Sequence, residues 1–317
     1  MEKRHVTLKY TFGPHAASMA AAEEQDLRPF LTPGSHVVLV SDTEDQAFEL
    51  IRRALVKLDL SLFQPFCFRR ENTILARYLP ESLMEKVALY DKSYFQGGHF
   101  DMDGLIAFTE ERIAEADRGG RIMLGVFPFT SRNLFQTQEP SVYSRKAEPE
   151  ISNRLRNRRG VALCIYRFQD LADAGGGLQR TGEFLVAVMA HSTILATSGG
   201  RLYSGREALS SVLNAFDPDA VPTEVLLLLD PEMREQFNRK VRETWERERR
   251  DALEVLARHP DVIGANPGKV FAVLVQEGLI AGIAESAGPA LEQAVASHGR
   301  RRFVIVRTPP EEPMEAF

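Results

Sequence analysis

Short apolar runs alternate with amphipathic stretches along most of the chain. Val6–Thr11 places Val6, Leu8 and Tyr10 on one side and Thr7, Lys9 and Thr11 on the other, a period of two that predicts a strand. Phe12-Gly13-Pro14-His15 breaks it, and the alanine-rich stretch from Ala16 to Leu31 predicts a helix. After a turn at Pro33-Gly34, His36–Ser41 is a compact β-branched run of the kind buried on both faces of a sheet. Glu44–Leu58 carries Phe48, Ile51, Leu55 and Leu58 on one stripe, a helix that Asp42 or Thr43 would cap. Further strands are predicted at Leu62–Phe68, Arg121–Phe127, Val161–Tyr166 and Ser192–Thr197. Helices are predicted from Asp101 or Asp103 to about Asp117, over Pro149–Asn157, and over Phe184–Ala190. Tyr94–Phe100 reads as a loop, and Leu83–Leu89 fits either element. Helices alternating with continuously apolar strands predict an α/β fold with a mainly parallel sheet.

A boundary is predicted at Phe216–Pro222, dividing the chain into residues 1–216 and 217–317. Val225–Leu229 reads as a strand or a helix start. A long helix then runs from Pro231 to about His259, with Phe237, Val241, Trp245, Ala252, Val255 and Leu256 turned inward. Its acids and bases nearly balance, which predicts a solvated, ion-paired outer face. Strands at Leu279–Ala284 and Arg302–Arg307 and a helix at Pro289–Ser297 complete a smaller α/β module entered through the long helix. The proline- and glutamate-rich end, from Pro309, is expected to be disordered.

Charge and cysteine content narrow the function. The chain has 317 residues, with 39 lysines and arginines against 44 acids, which argues against a dedicated nucleic-acid binder. Cys67 and Cys164 sit in apolar runs and read as buried, reduced thiols. No apolar segment follows the charged N-terminus and none approaches membrane-spanning length, so a soluble cytoplasmic protein is expected. The turn Thr11–Ser18 holds one glycine and no lysine, so the phosphate-gripping Gly-x-x-x-x-Gly-Lys pattern is missing, as are a Gly-x-Gly-x-x-Gly fingerprint and a Gly-x-Ser-x-Gly elbow. The histidines show no i, i+3 or i, i+4 pairing, so neither a metal site nor a cofactor is expected. Ligands of open parallel sheets bind beyond the carboxyl ends of the strands, where His15, Glu44, Tyr166 and several aromatics fall. Arg154–Arg159 and Arg300–Arg302 are basic clusters that fit solvated helix ends, or an anion or RNA phosphates.

The stretch from about His5 to Arg206 resembles the MEDS (methanogen/methylotroph sensory) domain family. The resemblance is carried by His5–Tyr10, the Gly34-Ser35-His36-Val37-Val38-Leu39-Val40 strand, Tyr94–Phe100, Leu163-Cys164-Ile165-Tyr166, and the strand led by His191 with Gly199–Tyr203 after it. It implies a RecA-like, three-layer, doubly wound sheet that has lost the phosphate-loop lysine. It also implies a non-enzymatic sensor of small organic molecules that relays its state to a partner. Glu150 aligns with an acidic residue of the family, although Pro149 replaces the tyrosine before it. The expected ligand-binding residues are Tyr10, His15, Glu44, Glu150, Tyr166 and His191. The last hundred residues faintly resemble the final domain of archaeo-eukaryotic-type release factors, through Val273–Ala281. A translation- or RNA-associated factor is therefore the alternative reading, and an enzyme of unrecognised chemistry a third. Self-association through the long helix and intramolecular cover of it both fit the sequence.

Overall fold

A computed structural model describes residues 25–68, 75–91, 94–96, 98–175, 177–216, 220–299 and 301–307. The strand expected at Val6–Thr11, the turn Thr11–Ser18, and the candidates Tyr10 and His15 lie outside these residues. The chain forms two compact units, residues 1–230 and 231–317. The first extends one short helix, Thr223–Leu228, beyond the boundary read at Phe216.

The N-terminal unit is built on a seven-stranded sheet. Its strands are β1 (His36–Ser41), β2 (Phe63–Phe68), β3 (Ala88–Tyr90), β6 (Ile122–Phe127), β7 (Gly160–Arg167), β8 (Thr193–Ser198) and β9 (Arg201–Ser204). A separate hairpin, β4 (Phe95–Gln96) and β5 (His99–Phe100), occupies the stretch expected to be a loop. The sheet order is β3-β2-β6-β7-β1-β8-β9, parallel throughout except at the β8–β9 edge. Helices cover both faces. The expected three-layer, doubly wound architecture is therefore the one observed. The helix expected to reach Leu31 does not: the described part of that stretch is irregular except for a single 3-10 turn at Arg28–Phe30.

Strand alternation sorts the two faces. Val37 and Leu39 of β1, Val161, Leu163 and Ile165 of β7, and Leu124 and Val126 of β6 point to one side. There they pack against Phe48, Ile51 and Leu55 of α1 (Glu44–Lys57) in an apolar core. Thr43 caps α1, its hydroxyl accepting from the Gln46 amide. The intervening residues, His36 of β1 and Cys164 and Tyr166 of β7, point to the other side. Helices α2 (Met102–Arg118), α3 (Thr130–Gln136), α4 (Glu148–Leu155), α5 (Phe168–Asp173) and α6 (Leu178–Met189) belong to the rest of the unit. The register sets Val38 opposite Cys164, and His36 two residues along the same face.

The C-terminal unit pairs a three-stranded antiparallel sheet with a long helix, a second helix and a short one at Pro260–Gly264. The long helix α9 (Pro231–Ala257) is followed by β10 (Val270–Leu274), β11 (Leu279–Ala284), α10 (Ala287–His298) and β12 (Val304–Arg307), in the sheet order β11-β10-β12. Two further helices, α7 (Gly205–Asn214) and α8 (Thr223–Leu228), belong to the first unit. Phe271, Val273 and Val306 meet Ala252, Val255 and Leu256 of α9. Val270 and Ala272, on the opposite face of the strand, meet Ala290 and Ala294 of α10. Trp245, expected to turn inward, is 54% exposed. Among the described residues no helix is long and apolar enough to cross a membrane.

Candidate functional site

Beneath the second face of the large sheet lies a cluster of polar side chains closed off from water. It contains His36, Glu148, Cys164, Tyr166 and His191, all buried. Each comes from a different position in the fold. His36 opens β1, Cys164 and Tyr166 share one face of β7, Glu148 begins α4, and His191 follows α6 just before β8.

Local geometry aims each group inward. A five-residue π-helical segment, Tyr143–Ala147, runs directly into α4. Its i to i+5 bonding brings Tyr143 alongside Glu148, and the Tyr143 side chain hydrogen-bonds that carboxyl group. The Tyr166 hydroxyl donates to Glu148 Oε1 at 2.7 Å. His36 is anchored by its backbone, whose N–H donates to Ser192 Oγ at 2.9 Å while the Ser192 hydroxyl donates to the His36 carbonyl. The rings of His36 and His191 lie with centroids 3.9 Å apart.

The hydrogen bonds settle the proton positions. The Ser152 hydroxyl spends its proton on the Ala190 carbonyl at 2.8 Å, so at 2.8 Å from His36 it accepts, and His36 Nδ1 carries the hydrogen. His191 Nδ1 faces the Ala187 carbonyl at 2.8 Å, and a carbonyl only accepts, so this nitrogen also carries the hydrogen. Burial pushes the His36 imidazole well below its ordinary range and that of His191 down to about 4, so both rings are neutral at neutral pH. Both Nε2 atoms therefore present lone pairs. They converge on Glu148 Oε2, at 3.4 Å from His36 and 3.5 Å from His191. With neutral rings these contacts are not ion pairs.

Burial raises the Glu148 carboxyl to about 7, although the tyrosine hydroxyls beside it pull the other way. Cys164 Sγ lies 3.5 Å from His36 Nε2. Glu148 Oε2 and His191 Nε2 are buried with no hydrogen-bond partner. Leaving such atoms unsatisfied costs about 1–3 kcal/mol each.

The strand ends, where ligands were expected, are arranged differently. The turn after the interior strand β1 is Ser41-Asp42-Thr43-Glu44, with neither glycine nor lysine. Glu44 opens α1 and pairs with Arg167 at the end of β7. Arg167 also grips Asp170 through two nitrogens, at 3.0 and 2.8 Å, and its amide donates to Ser131 Oγ at 3.0 Å. Burial raises the Asp42 carboxyl. Arginine and carboxylates thus fill the crevice themselves.

Of the expected ligand-binding residues, Tyr166 and His191 come together in the buried cluster. Glu44 does not join them, since it belongs to the Arg167 network. Glu150 does not either: it lies on the outer side of α4 and binds Arg154 at 2.7 Å. Two residues along a helix are about 200° apart around its axis, so the inward acid is Glu148. Sequence reasoning missed His36, Glu148 and Ser152 and treated Cys164 as packing. The signal it lacked was spatial, because the ligand-type groups at positions 36, 148, 164 and 191 have no short spacing to betray them. A histidine leading a fully buried strand, and Tyr143, Ser144 and Glu148 among the buried positions of the π-helix and α4, were the traces available in the sequence.

Several arginines of the basic clusters are ion-paired. Arg154 reaches Glu150 and Glu110, Arg301 pairs with Glu277, and Arg302 reaches Glu248 at 3.0 Å.

No protein-family model matches the chain, and no curated protein sequence does. Among solved structures, a Pyrococcus horikoshii OT3 protein is similar at 7% identity and a TM-score of 0.40, covering 57% of this chain and 92% of its own. An ATPase of the type III secretion system of pathogenic bacteria is similar at 13% identity and a TM-score of 0.33, covering 72% of this chain and 66% of its own.

Proposed function

We propose that the chain is a non-enzymatic sensory protein of the cytoplasm. In this reading the N-terminal unit binds a small organic ligand at the buried cluster, and the C-terminal unit relays the bound state to a protein partner. The observation that carries the reading is the pair of buried, unpartnered atoms, Glu148 Oε2 and His191 Nε2. A fold keeps such atoms at a cost in stability, and a ligand that supplies the missing donor offsets it. The ring of Phe184 beside Tyr166, with Phe168 and Phe216 behind it, supplies the apolar wall that an organic body needs.

The strand-end crevice speaks against a nucleotide. Glu44 and Asp45 stand in the first turn of α1, where a phosphate would need positive charge and open amides. The MEDS resemblance points to the same class of function. The acidic partners of Arg154, Arg301 and Arg302 reduce the free positive charge on which the RNA-binding alternative draws.

Native mass spectrometry of freshly purified chain, followed by denaturing extraction, tests the reading. A discrete small organic mass is expected, and Tyr166→Ala should reduce its occupancy while the far-UV circular dichroism spectrum is retained. Equal occupancy in the variant, or a bare chain that carries only RNA at low salt, would overturn it.

A further inference from the structure

We propose that His36 Nε2, His191 Nε2, Glu148 Oε2 and Cys164 Sγ form a closed, four-coordinate site for a zinc-class divalent metal ion inside the N-terminal unit. This inference deepens the assignment of the cluster as a ligand site by naming an ion as its centre, and it stands or falls separately from the organic ligand.

Four observations carry it. First, the donor set converges. One atom from each of the four side chains lies within 4.8 Å of the other three, and all four residues are buried. Second, three of the six separations match, the others lying within 4.8 Å. Zinc bonds of about 2.0–2.3 Å in a tetrahedron set donor-to-donor edges of roughly 3.3–3.7 Å. His36 to Glu148 is 3.4 Å, His191 to Glu148 is 3.5 Å and His36 to Cys164 is 3.5 Å. Third, the facing atoms are acceptors. Both Nε2 atoms are lone pairs because both Nδ1 hydrogens are already committed, to Ser152 Oγ and to the Ala187 carbonyl. A carboxylate oxygen aimed between two such lone pairs is unfavourable unless a proton or a cation sits there. A proton can bridge only one of these gaps, whereas an ion satisfies every donor at once.

Fourth, the surrounding groups do what outer partners of metal ligands do. Ser152 orients His36 and is itself tied to the Ala190 carbonyl. The Ala187 carbonyl orients His191, and Tyr166 holds the second oxygen of Glu148.

Charge balance selects the ion. A divalent cation with one thiolate, one carboxylate and two neutral imidazoles sums to zero, which is what a buried site tolerates. On binding, the metal–sulfur and metal–oxygen bonds form as the Cys164 thiol proton, and any proton on Glu148, leave to solvent. Two imidazoles, a thiolate and a carboxylate suit zinc and cobalt(II) rather than magnesium or calcium, which take oxygen donors. Four protein donors leave no position for a reacting water, so the site is structural or sensory rather than hydrolytic.

The test uses the full chain. It is stripped with chelator under reducing conditions and titrated with Co2+ alone, then with Zn2+. One equivalent of Co2+ is expected to give the visible bands of a tetrahedral ion and a near-ultraviolet thiolate-to-cobalt charge-transfer band, both bleached by Zn2+. Cys164→Ala should remove the charge-transfer band, whereas Cys67→Ala, in the apolar core on the other face, should keep it. Tyr166→Phe, which changes only a positioning group, should weaken metal affinity by about 10–100-fold while the charge-transfer band persists. A folded wild-type chain that binds no Co2+, or binds it without the thiolate band, overturns the proposal with no variant needed. A metal-loaded chain with no organic mass upholds this inference and removes the organic ligand. An organic mass with no metal does the reverse.

Discussion

Two side chains in the N-terminal unit show how burial turns an ordinary residue into a costly one, and a third supplies the contrast. Tyr166 is fully buried and its hydroxyl donates to Glu148. In the metal-free chain, Tyr166→Phe should cost about 0.5–1.5 kcal/mol, because it removes one of the two tyrosine hydroxyls on the buried carboxyl group, and urea unfolding would read the loss. Arg167 neutralises Asp170, which is 5% exposed. Arg167→Met leaves that carboxylate without its main partner and should cost about 3–5 kcal/mol; an unchanged urea midpoint would refute the buried-pair account. Glu49 is the contrasting surface case. Hydrogen bonds from Arg52, then Arg53, hold its carboxyl down at about 2 against an ordinary 4.5. Its folded value lies below the unfolded one, so its contribution is complete above about pH 4.5 and is lost as the pH falls towards 2. Solvent screens the group, so the amount is about 0.5 kcal/mol. Glu49→Gln should lower stability by that much at neutral pH and match the parent chain near pH 2, so that the acid limb of the curve is flatter.

Among the elements, helix starts and close approaches matter most. Asp101 caps α2 by accepting from the Gly104 amide at 2.9 Å. Asp101→Ala should lower thermal stability by about 1 kcal/mol, and Asp101→Asn should retain most of it. In the C-terminal unit α10 lies directly on β11. A Cβ at Gly282 would stand 2.1 Å from the Ala290 carbonyl oxygen, so strand and helix touch through backbone. Gly282→Val must separate them, and overpacking of this kind costs about 1–3 kcal/mol. Melting of the unit followed by the Phe271 and Phe303 ring signals in NMR would check it. The π-helical segment before α4 is a further case. A regular helix over Tyr143–Glu148 would place Tyr143 away from Glu148, so the wider turn is what aligns them.

For the whole molecule, each unit has its own hydrophobic core. Residues 231–317 should therefore fold when expressed alone, giving a helical circular dichroism spectrum and dispersed amide signals; a collapsed amide spectrum would count against that independence. Most of the architecture was legible beforehand. The strands at 36–41, 63–68, 122–127, 160–167 and 193–198 and the long helix from Pro231 follow from apolar periodicity, because a two-residue or 3.6-residue repeat is written locally. Tyr166 and His191 were legible as candidates for the same reason: each borders a buried strand. The hairpin at 95–100 was not, because two-residue strands carry no period. The partners of those two residues were not legible either. His36, Glu148 and Cys164 are separated from one another and from His191 by 16 to 155 positions, and only the parallel register of β1 on β7, with α4 and α6 laid over one face, brings their donor atoms together. By itself the chain determined which segments would be strands and which helices, since those choices depend on neighbours in sequence. The buried polar centre was decided by tertiary structure, since convergence of four side chains depends on strand order and on which face of each strand is turned towards the helices.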